Sequence, residues 1–251
     1  MSEHIRISTE ARITTVTIDR VDKKNAITQD MYGAMADALT AYGESDDARA
    51  LVFTGVGNMF TAGNDLGDFV MGANENDIPP VGRFLNALRD CPKPLIAAVN
   101  GHAIGVGLTM LLHCDLVYCA EGATFSAPFV SLGVVPEAGS SVLLPAVVGL
   151  AVANDIVLTG RRLNADEAVH YGLVARKFSA DEFAPAMQQV AAQVAGSAPV
   201  SMRRSKALIR HNREFLTEQM MRENRWFADQ LQGPEFAESI AAMKAKRAPS
   251  Y

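Results

Sequence analysis

Two glycine-bearing turns have residue types and spacing suited to holding a developing negative charge. They occupy residues 60–66 and 100–107, and each follows a short apolar run that predicts a buried strand. Glycine lets a ligand approach the backbone closely, and a peptide N–H at such a turn can point outward as a donor. Two donors aimed at one oxygen would form an oxyanion hole. On the pattern alone, tight packing turns remain an alternative.

A single glutamate, Glu137, is the candidate general base. It ends an apolar run, follows Pro136 and precedes a predicted helix. Burial there would raise the pKa of a carboxyl group and make it a stronger base. An acidic residue that simply favours a helix N-terminus is the alternative. The sequence does not show whether Glu137 faces the two turns.

No pattern in the sequence predicts a metal or a nucleotide cofactor. The glycines of the second turn do not fit a dinucleotide or phosphate-loop spacing. The cysteines lack the two spaced clusters that zinc needs, and we expect them to be buried, reduced thiols: Cys91, Cys114 and Cys119.

The composition excludes several classes of protein. Of 251 residues, 49% are hydrophobic and 20% are charged, which is too apolar for a disordered chain. A net charge of −5 argues against nucleic acid and anionic membranes as partners. The first residues lack an apolar signal core and no run is long enough to span a membrane, so we expect a cytoplasmic protein.

The elements that must position these residues alternate between strand and helix as far as residue 137. Strands are predicted at residues 13–18, 50–54, 95–99 and 116–119, with helices between them. Residues 55–72 are expected to form a glycine-bearing loop, and residues 74–80 an exposed segment. From residue 140 onward nearly everything is predicted to be helical. The chain is therefore an α/β protein, either one large domain or a domain with an appendage.

The ordered motifs resemble the crotonase, or enoyl-CoA hydratase/isomerase, superfamily. The resemblance covers nearly the whole chain and rests on Ala-Gly-Asn-Asp-Leu (62–66), Asn-Gly-His-Ala-Ile-Gly-Val-Gly (100–107), Cys-Asp (114–115) and Ala-Thr-Phe-Ser-Ala-Pro-Phe (123–129). It implies a spiral core of repeated β-β-α units over residues 1–195 and a helical trimerisation region over residues 196–251. It also implies an acyl-CoA thioester substrate and a homotrimer or a dimer of trimers.

The resemblance also assigns candidate site residues. The backbone N–H groups of Asn64 and Val106 would form the oxyanion hole, and Glu137 matches the single glutamate of the Δ3,Δ2-enoyl-CoA isomerases. The two positions that carry glutamates in family hydratases hold Thr109 and Phe129 here. Candidate substrate-binding residues are Ala62, Gly63, Asp65, Leu66, Gly105, Phe129 and Lys246.

These substitutions favour an isomerase that moves a 3-enoyl-CoA double bond to the 2-trans position with one carboxylate. That reaction needs no cofactor, because coenzyme A is part of the substrate. The alternatives are a hydratase or another thioester enzyme of the superfamily, and a non-catalytic acyl-CoA-binding protein.

Other polar residues are assigned structural roles. His102, Asp65 and Asp115 are expected to hold their own loops and strands. The basic run between Arg203 and Arg213 is expected to be a solvated helix face.

Overall fold

Two β-sheets form the framework of the molecule. The computed structural model describes residues 2–68 and 78–251. The strands are β1 (Ile5–Glu10), β2 (Ile13–Ile18), β3 (Ala50–Gly55), β4 (Met59–Thr61), β5 (Leu95–Val99), β6 (His102–Ile104), β7 (Leu116–Ala120), β8 (Thr124–Ser126), β9 (Leu163–Asn164) and β10 (Arg176–Phe178). The predicted loop at residues 55–72 and the predicted exposed segment at 74–80 lie partly outside the described residues.

The connection between the sheets repeats along the chain. The larger sheet has the strand order β1-β2-β3-β5-β7-β10 and is parallel apart from the β1–β2 pair. The smaller sheet has the order β4-β6-β8-β9. Each of β3, β5 and β7 is followed within a few residues by β4, β6 or β8 in the other sheet. This arrangement confirms the predicted α/β class.

Helices cover both sheets and continue as far as Lys244. They are α1 (Gln29–Glu44), α2 (Pro80–Asp90), α3 (Val106–Thr109), α4 (Ser140–Val148), α5 (Leu150–Thr159), α6 (Ala165–His170), α7 (Ala180–Gly196), α8 (Pro199–Ile209), α9 (Arg213–Leu231) and α10 (Pro234–Lys244). Among the described residues, none of them combines the length and apolar character that a membrane span requires.

Alternate residues of the central strands point into two separate hydrophobic clusters. In β3, Leu51 and Phe53 belong to the main cluster, which α1 and α2 cover. Ala50 and Val52 face the other way and pack with side chains of α7. A parallel strand that is buried on both faces has a continuous run of apolar residues. This run is why the sequence predicts a strand at the position of β3.

The helical prediction after residue 140 is wrong at two places. β9 and β10 lie in this region, and β10 adds an edge strand beside β7. The apolar stretch 143–157 is divided between α4 and α5 by Gly149, whose φ is +79°. These strands have only two and three residues, so pairing with distant strands determines them rather than local pattern.

The basic run on α8 is only partly solvated, which corrects the sequence-based expectation. Lys206 and Arg210 form ion pairs with Asp115 at 2.8 Å and 3.0 Å, and the Lys206 side chain is 9% exposed. Asp115 also accepts the backbone N–H of Leu95 at 2.8 Å. One carboxylate therefore ties α8 to the ends of β5 and β7.

The division into a core and a trimerisation region stays a prediction.

Candidate active site

The two glycine turns touch each other. β4 and β6 pair in parallel, so the loops that follow them leave the small sheet side by side. Gly63 and Gly105 have φ values of +93° and +59°. A Cβ on Gly63 would lie 2.9 Å from the carbonyl oxygen of Ile104, and one on Gly105 would lie 3.9 Å from the Cα of Gly63. The residues directly before Asn64 and Val106 are therefore in contact. The close approach requires glycine at position 63, and the positive φ favours it at position 105.

The peptide N–H of Asn64 is unpaired within the first loop. Gly63 donates its N–H to Thr61 Oγ1 at 3.0 Å, and Asp65 donates its N–H to the carbonyl of Ile27 at 2.9 Å. In the part of the chain that the structure describes, the N–H between them has no acceptor. It is thus available to an incoming oxygen.

The peptide N–H of Val106 is also unpaired within its loop. The N–H of Gly105 is bonded to the carbonyl of Ser126 at 2.9 Å, and the N–H of Leu108 to the carbonyl of Gly105 at 2.9 Å. Val106 is the first residue of α3, and no acceptor for its N–H lies among residues 2–68 and 78–251. Two unpaired donors therefore stand on adjoining loops.

Glu137 lies beside the same short helix. Glu137 is 5% exposed, and the hydroxyl of Thr109, the last residue of α3, lies 3.5 Å from its Oε1. Burial raises the pKa of Glu137 to about 7, and the negative charge of Glu223 adds to the increase. Contact with the Thr109 hydroxyl works in the opposite direction. The structure thus brings a buried carboxylate with neutral-pH basicity to the helix that begins at Val106.

The turn after Glu137 is held in an unusual conformation. Ala138 and Gly139 have φ values of +58° and +73°. His113 hydrogen-bonds through Nε2 to the carbonyl oxygen of Ala138 at 2.7 Å, so Nε2 carries the proton. Burial lowers the pKa of His113 to about 4, and the ring is neutral at pH 7. A neutral donor therefore fixes the backbone next to the base.

The side chain of Asn64 is held by α1. The Tyr32 hydroxyl donates a hydrogen bond to Asn64 Oδ1. Burial raises the pKa of Tyr32, and the charge of Glu137 raises it further, so Tyr32 remains a neutral donor. This bond restrains the residue whose N–H is one of the two free donors.

The remaining predicted residues have varied environments. Asp65 pairs with Arg20 and accepts the N–H of Gly67 at 2.9 Å, and the Arg20 guanidinium lowers the pKa of Asp65. His102 hydrogen-bonds to Thr124 at 2.8 Å, as expected for a structural histidine.

Within residues 2–68 and 78–251, four candidate substrate-binding residues make no polar side-chain contact that assigns them a role. The backbone N–H of Ala62 donates to the carbonyl oxygen of Lys24, and Leu66 and Lys246 are exposed. Phe129 is buried in the main hydrophobic cluster. Their proposed contacts with substrate stay predictions.

A comparison with known protein families decides the family of the chain. The family model described as enoyl-CoA hydratase/isomerase matches residues 8–251. The chain belongs to the enoyl-CoA hydratase/isomerase family. The crotonase resemblance is therefore confirmed, and the chain is an enzyme of that superfamily.

Individual relatives agree on the fold and differ in their named activities. A solved enoyl-CoA hydratase/isomerase from Pseudoalteromonas atlantica T6c has a TM-score of 0.95 and 49% identity, covering 99% of this chain and 100% of that one. Enoyl-CoA delta isomerase 2 of Rattus norvegicus is 40% identical over 218 residues, or 84% of this chain and 55% of the rat protein. Carnitinyl-CoA dehydratase of Salmonella arizonae is 37% identical over 222 residues, or 87% of this chain and 85% of that protein.

Three residues of this hydratase/isomerase site were not found from the sequence: Tyr32, His113 and Glu223. Tyr32 and His113 lie in apolar helical stretches, where the sequence pattern predicts core residues. Glu223 stands in a polar helical stretch and reads as solvent-exposed. Each acquires its role only when distant elements dock, and no local signal marks them.

The buried carboxyl group of Glu137 should lower the stability of the protein at alkaline pH. The pKa of Glu137 rises from 4.5 to about 7, so the folded state holds its proton more tightly than the unfolded chain does. The stability associated with the protonated carboxyl is complete below pH 4.5 and is lost as the pH rises through 7. Glu137→Gln is neutral throughout, and should raise the free energy of unfolding by about 3 kcal/mol near pH 8.5.

Urea unfolding at about pH 4.5 and about pH 8.5 measures this difference. The exposed Glu218, replaced by glutamine, is the control and should change stability by less than about 0.5 kcal/mol at both pH values. Equal stability of Glu137→Gln and the wild type at alkaline pH would contradict a strongly raised pKa.

Proposed function

We propose that this enzyme is a Δ3,Δ2-enoyl-CoA isomerase that shifts a 3-enoyl-CoA double bond to the 2-trans position. The observation that carries the proposal is the buried carboxylate of Glu137 next to two unpaired peptide N–H groups on touching loops. The hydroxyl of Thr109, which stands where family hydratases have a glutamate, lies against that carboxylate. One base and two oxyanion donors are sufficient for double-bond migration.

In the proposed reaction, Glu137 acts twice on the same substrate. Its carboxylate takes a proton from C2, and the C–H electron pair moves toward the thioester carbonyl to form a dienolate. The N–H groups of Asn64 and Val106 hold the resulting oxyanion. The electrons then return, the carboxylic acid of Glu137 delivers the proton to C4, and the double bond lies between C2 and C3. No water, metal or redox cofactor is consumed.

The environment of Glu137 supports this role. A pKa of about 7 keeps a large fraction of the carboxylate ionised at neutral pH while making it a stronger base than an exposed glutamate. The same pKa makes the protonated form a competent acid for the return step. A base that must both accept and return one proton works best when its pKa lies near the operating pH.

Dehydration or hydration is the second candidate, because the Salmonella relative is named a carnitinyl-CoA dehydratase. Water chemistry in hydratases of this superfamily uses two glutamates, and Thr109 and Phe129 occupy those positions here. Neither side chain acts as a carboxylate base at neutral pH. We therefore favour isomerisation, and the rat relative named an enoyl-CoA delta isomerase supports this choice.

A panel of acyl-CoA substrates with product analysis tests the proposal. The purified protein is incubated separately with a 3-enoyl-CoA, crotonyl-CoA and carnitinyl-CoA, and the products are separated by chromatography. We expect conversion of the 3-enoyl-CoA to the 2-trans isomer and little hydration or dehydration. Water addition or removal as the main reaction would favour the second candidate, and binding without turnover would favour an acyl-CoA-binding protein.

The expected assembly is a homotrimer or a dimer of trimers. Large apolar side chains are exposed on α8 and α9, and burial between subunits would remove them from water. They are Leu208, Ile209, Phe215, Met221 and Trp226.

A further inference from the structure

One carboxylate from the C-terminal helices reaches the turn that carries the proposed base. α9 has 19 residues, and only Met220 and Glu223 among them are buried. Glu223 is 5% exposed although it is charged and its neighbours along the helix face solvent. Burying a carboxylate is costly unless donors satisfy it, so its partners indicate its purpose.

Those partners are the residues that follow Glu137. Glu223 accepts the N–H of Gly139 at 2.5 Å and the N–H of Ser141 at 3.0 Å, and it also accepts the Ser141 hydroxyl. It thereby satisfies the first N–H groups of α4, as an N-terminal cap does. Glu223 is separated in sequence from Gly139 and Ser141 by 84 and 82 residues.

The packing of α9 on this turn is close. A Cβ on Gly139 would lie 2.4 Å from Leu216 Cδ1, so a side chain at that position would displace the end of the Leu216 side chain. Together with the bond from His113 to Ala138, the contacts of Glu223 hold two successive residues with positive φ. A strained conformation persists only where its surroundings determine it in this way.

We infer that Glu223 is a positioning residue for Glu137: from α9 it holds the turn that carries the base and keeps a second negative charge beside it. The kinetic consequence of the inference rests on the proposed function. The electrostatic consequence does not; it rests on the hydrogen bonds that hold Glu223 at this turn and on its charge. This role makes the C-terminal helices part of the catalytic machinery rather than only a surface for assembly.

The groups that face Glu137 define the electrostatic effect. They are the Thr109 hydroxyl from α3, the Tyr32 phenol from α1, the neutral His113 next to the turn, and Glu223 from α9. Glu223 is the only other carboxyl group among them; burial raises its own pKa, and the hydrogen bonds from Ser141 and Gly139 oppose that rise. Its like charge raises the pKa of Glu137 in addition to the effect of burial.

Glu223→Gln removes the charge and preserves the size of the side chain. We expect the pKa of Glu137 to fall by about one unit, the order of shift that a nearby charge produces. The acid limb of the pH–kcat profile for isomerisation should move to lower pH by the same amount. The ratio of kcat at about pH 5.5 to kcat at about pH 8.5 should rise roughly eightfold, while kcat at the higher pH falls roughly threefold because the base is weaker.

A purely structural cap predicts a different result. It would lower kcat by the same factor at every pH and leave the pKa of Glu137 unchanged, and that outcome would overturn the inference. Gln219→Met is the matched control, because Gln219 donates to the Ser141 hydroxyl at 2.9 Å from the same helix but carries no charge. Glu218→Gln removes an exposed charge from α9. Neither control should shift the pKa of Glu137.

The electrostatic part is measured without turnover. Carbon-13 NMR of glutamate side-chain carboxyl carbons, assigned with the variants, gives the pKa of Glu137 in the substrate-free protein. A shifted pKa in a protein that fails to isomerise any 3-enoyl-CoA would refute the proposed function and preserve the coupling. An unshifted pKa in an active isomerase would refute the inference and preserve the function.

A reciprocal measurement covers the case in which Glu223→Gln does not fold. Coupling between two sites is symmetric, so Glu137→Gln should lower the pKa of Glu223 by the same amount. Glu137→Gln removes a desolvated charge, and we expect that variant to remain folded. An identical Glu223 titration in this variant and the wild type would show that the two carboxylates do not interact.

Discussion

Glu137→Gln should lower kcat for 3-enoyl-CoA isomerisation by about 10²- to 10⁴-fold, the usual contribution of a positioned general base. Glutamine has the same shape and cannot take the C2 proton. Among the described groups that face Glu137, Thr109 and Tyr32 are neutral donors and His113 is bonded to Ala138. The fourth, Glu223, accepts hydrogen bonds from Gly139 and Ser141 on both carboxylate oxygens, so none of the four is a free replacement base. Steady-state kinetics at about pH 8 measure the loss.

The same substitution provides its own control for folding. Because it removes a buried charge, the variant should be at least as stable as the wild type, so lost activity would not reflect unfolding. Affinity for an acyl-CoA should change little, since the two peptide donors remain. Activity within about threefold of the wild type would exclude Glu137 as the base.

Function and stability oppose each other at this position. Desolvation makes the Glu137 carboxylate a stronger base, and it also makes the ionised form costly to the folded state. Enzymes retain such residues because activity requires them, and replacing them commonly stabilises the fold. The expected gain in stability and loss of activity therefore have one cause.

Local sequence determined most of the framework. The runs at residues 13–18 and 95–99 are β-branched or apolar throughout, and the structure has β2 and β5 at those positions. Thr28 is of a residue type typical of helix N-caps, and its hydroxyl accepts the N–H of Met31 at 3.3 Å at the start of α1. Side chains that satisfy neighbouring backbone groups leave a signal in the sequence itself.

Contacts between distant segments explain what the sequence did not reveal. The adjoining positions of Gly63 and Gly105 depend on the parallel pairing of β4 with β6, which are separated by about 40 residues. Glu223 reaches the Glu137 turn across more than 80 residues. Neither contact is encoded in a local pattern. The sequence of a polar helix such as α9 is the same whether one of its glutamates faces water or packs against another part of the chain.

Gly63→Ala should disable the site through the backbone rather than through any reacting group. The residue has φ +93°, and the new Cβ would lie 2.9 Å from the carbonyl oxygen of Ile104 in the adjoining loop. Left-handed backbone costs an alanine about 1–2 kcal/mol, and overpacking against backbone costs about 1–3 kcal/mol more. The two loops must move apart, which displaces the N–H of Asn64 from that of Val106.

Loss of one aligned oxyanion donor lowers kcat by about 10²- to 10³-fold, so we expect a decrease of that order together with a lower melting temperature. Gly160→Ala is the matched control. Gly160 has a similar φ of +74°, and a Cβ there would meet no atom within 4 Å. It should therefore show the stability cost of left-handed backbone alone and keep full activity. If both variants lost stability equally and both stayed active, the contact between the two loops would have no part in holding the oxyanion.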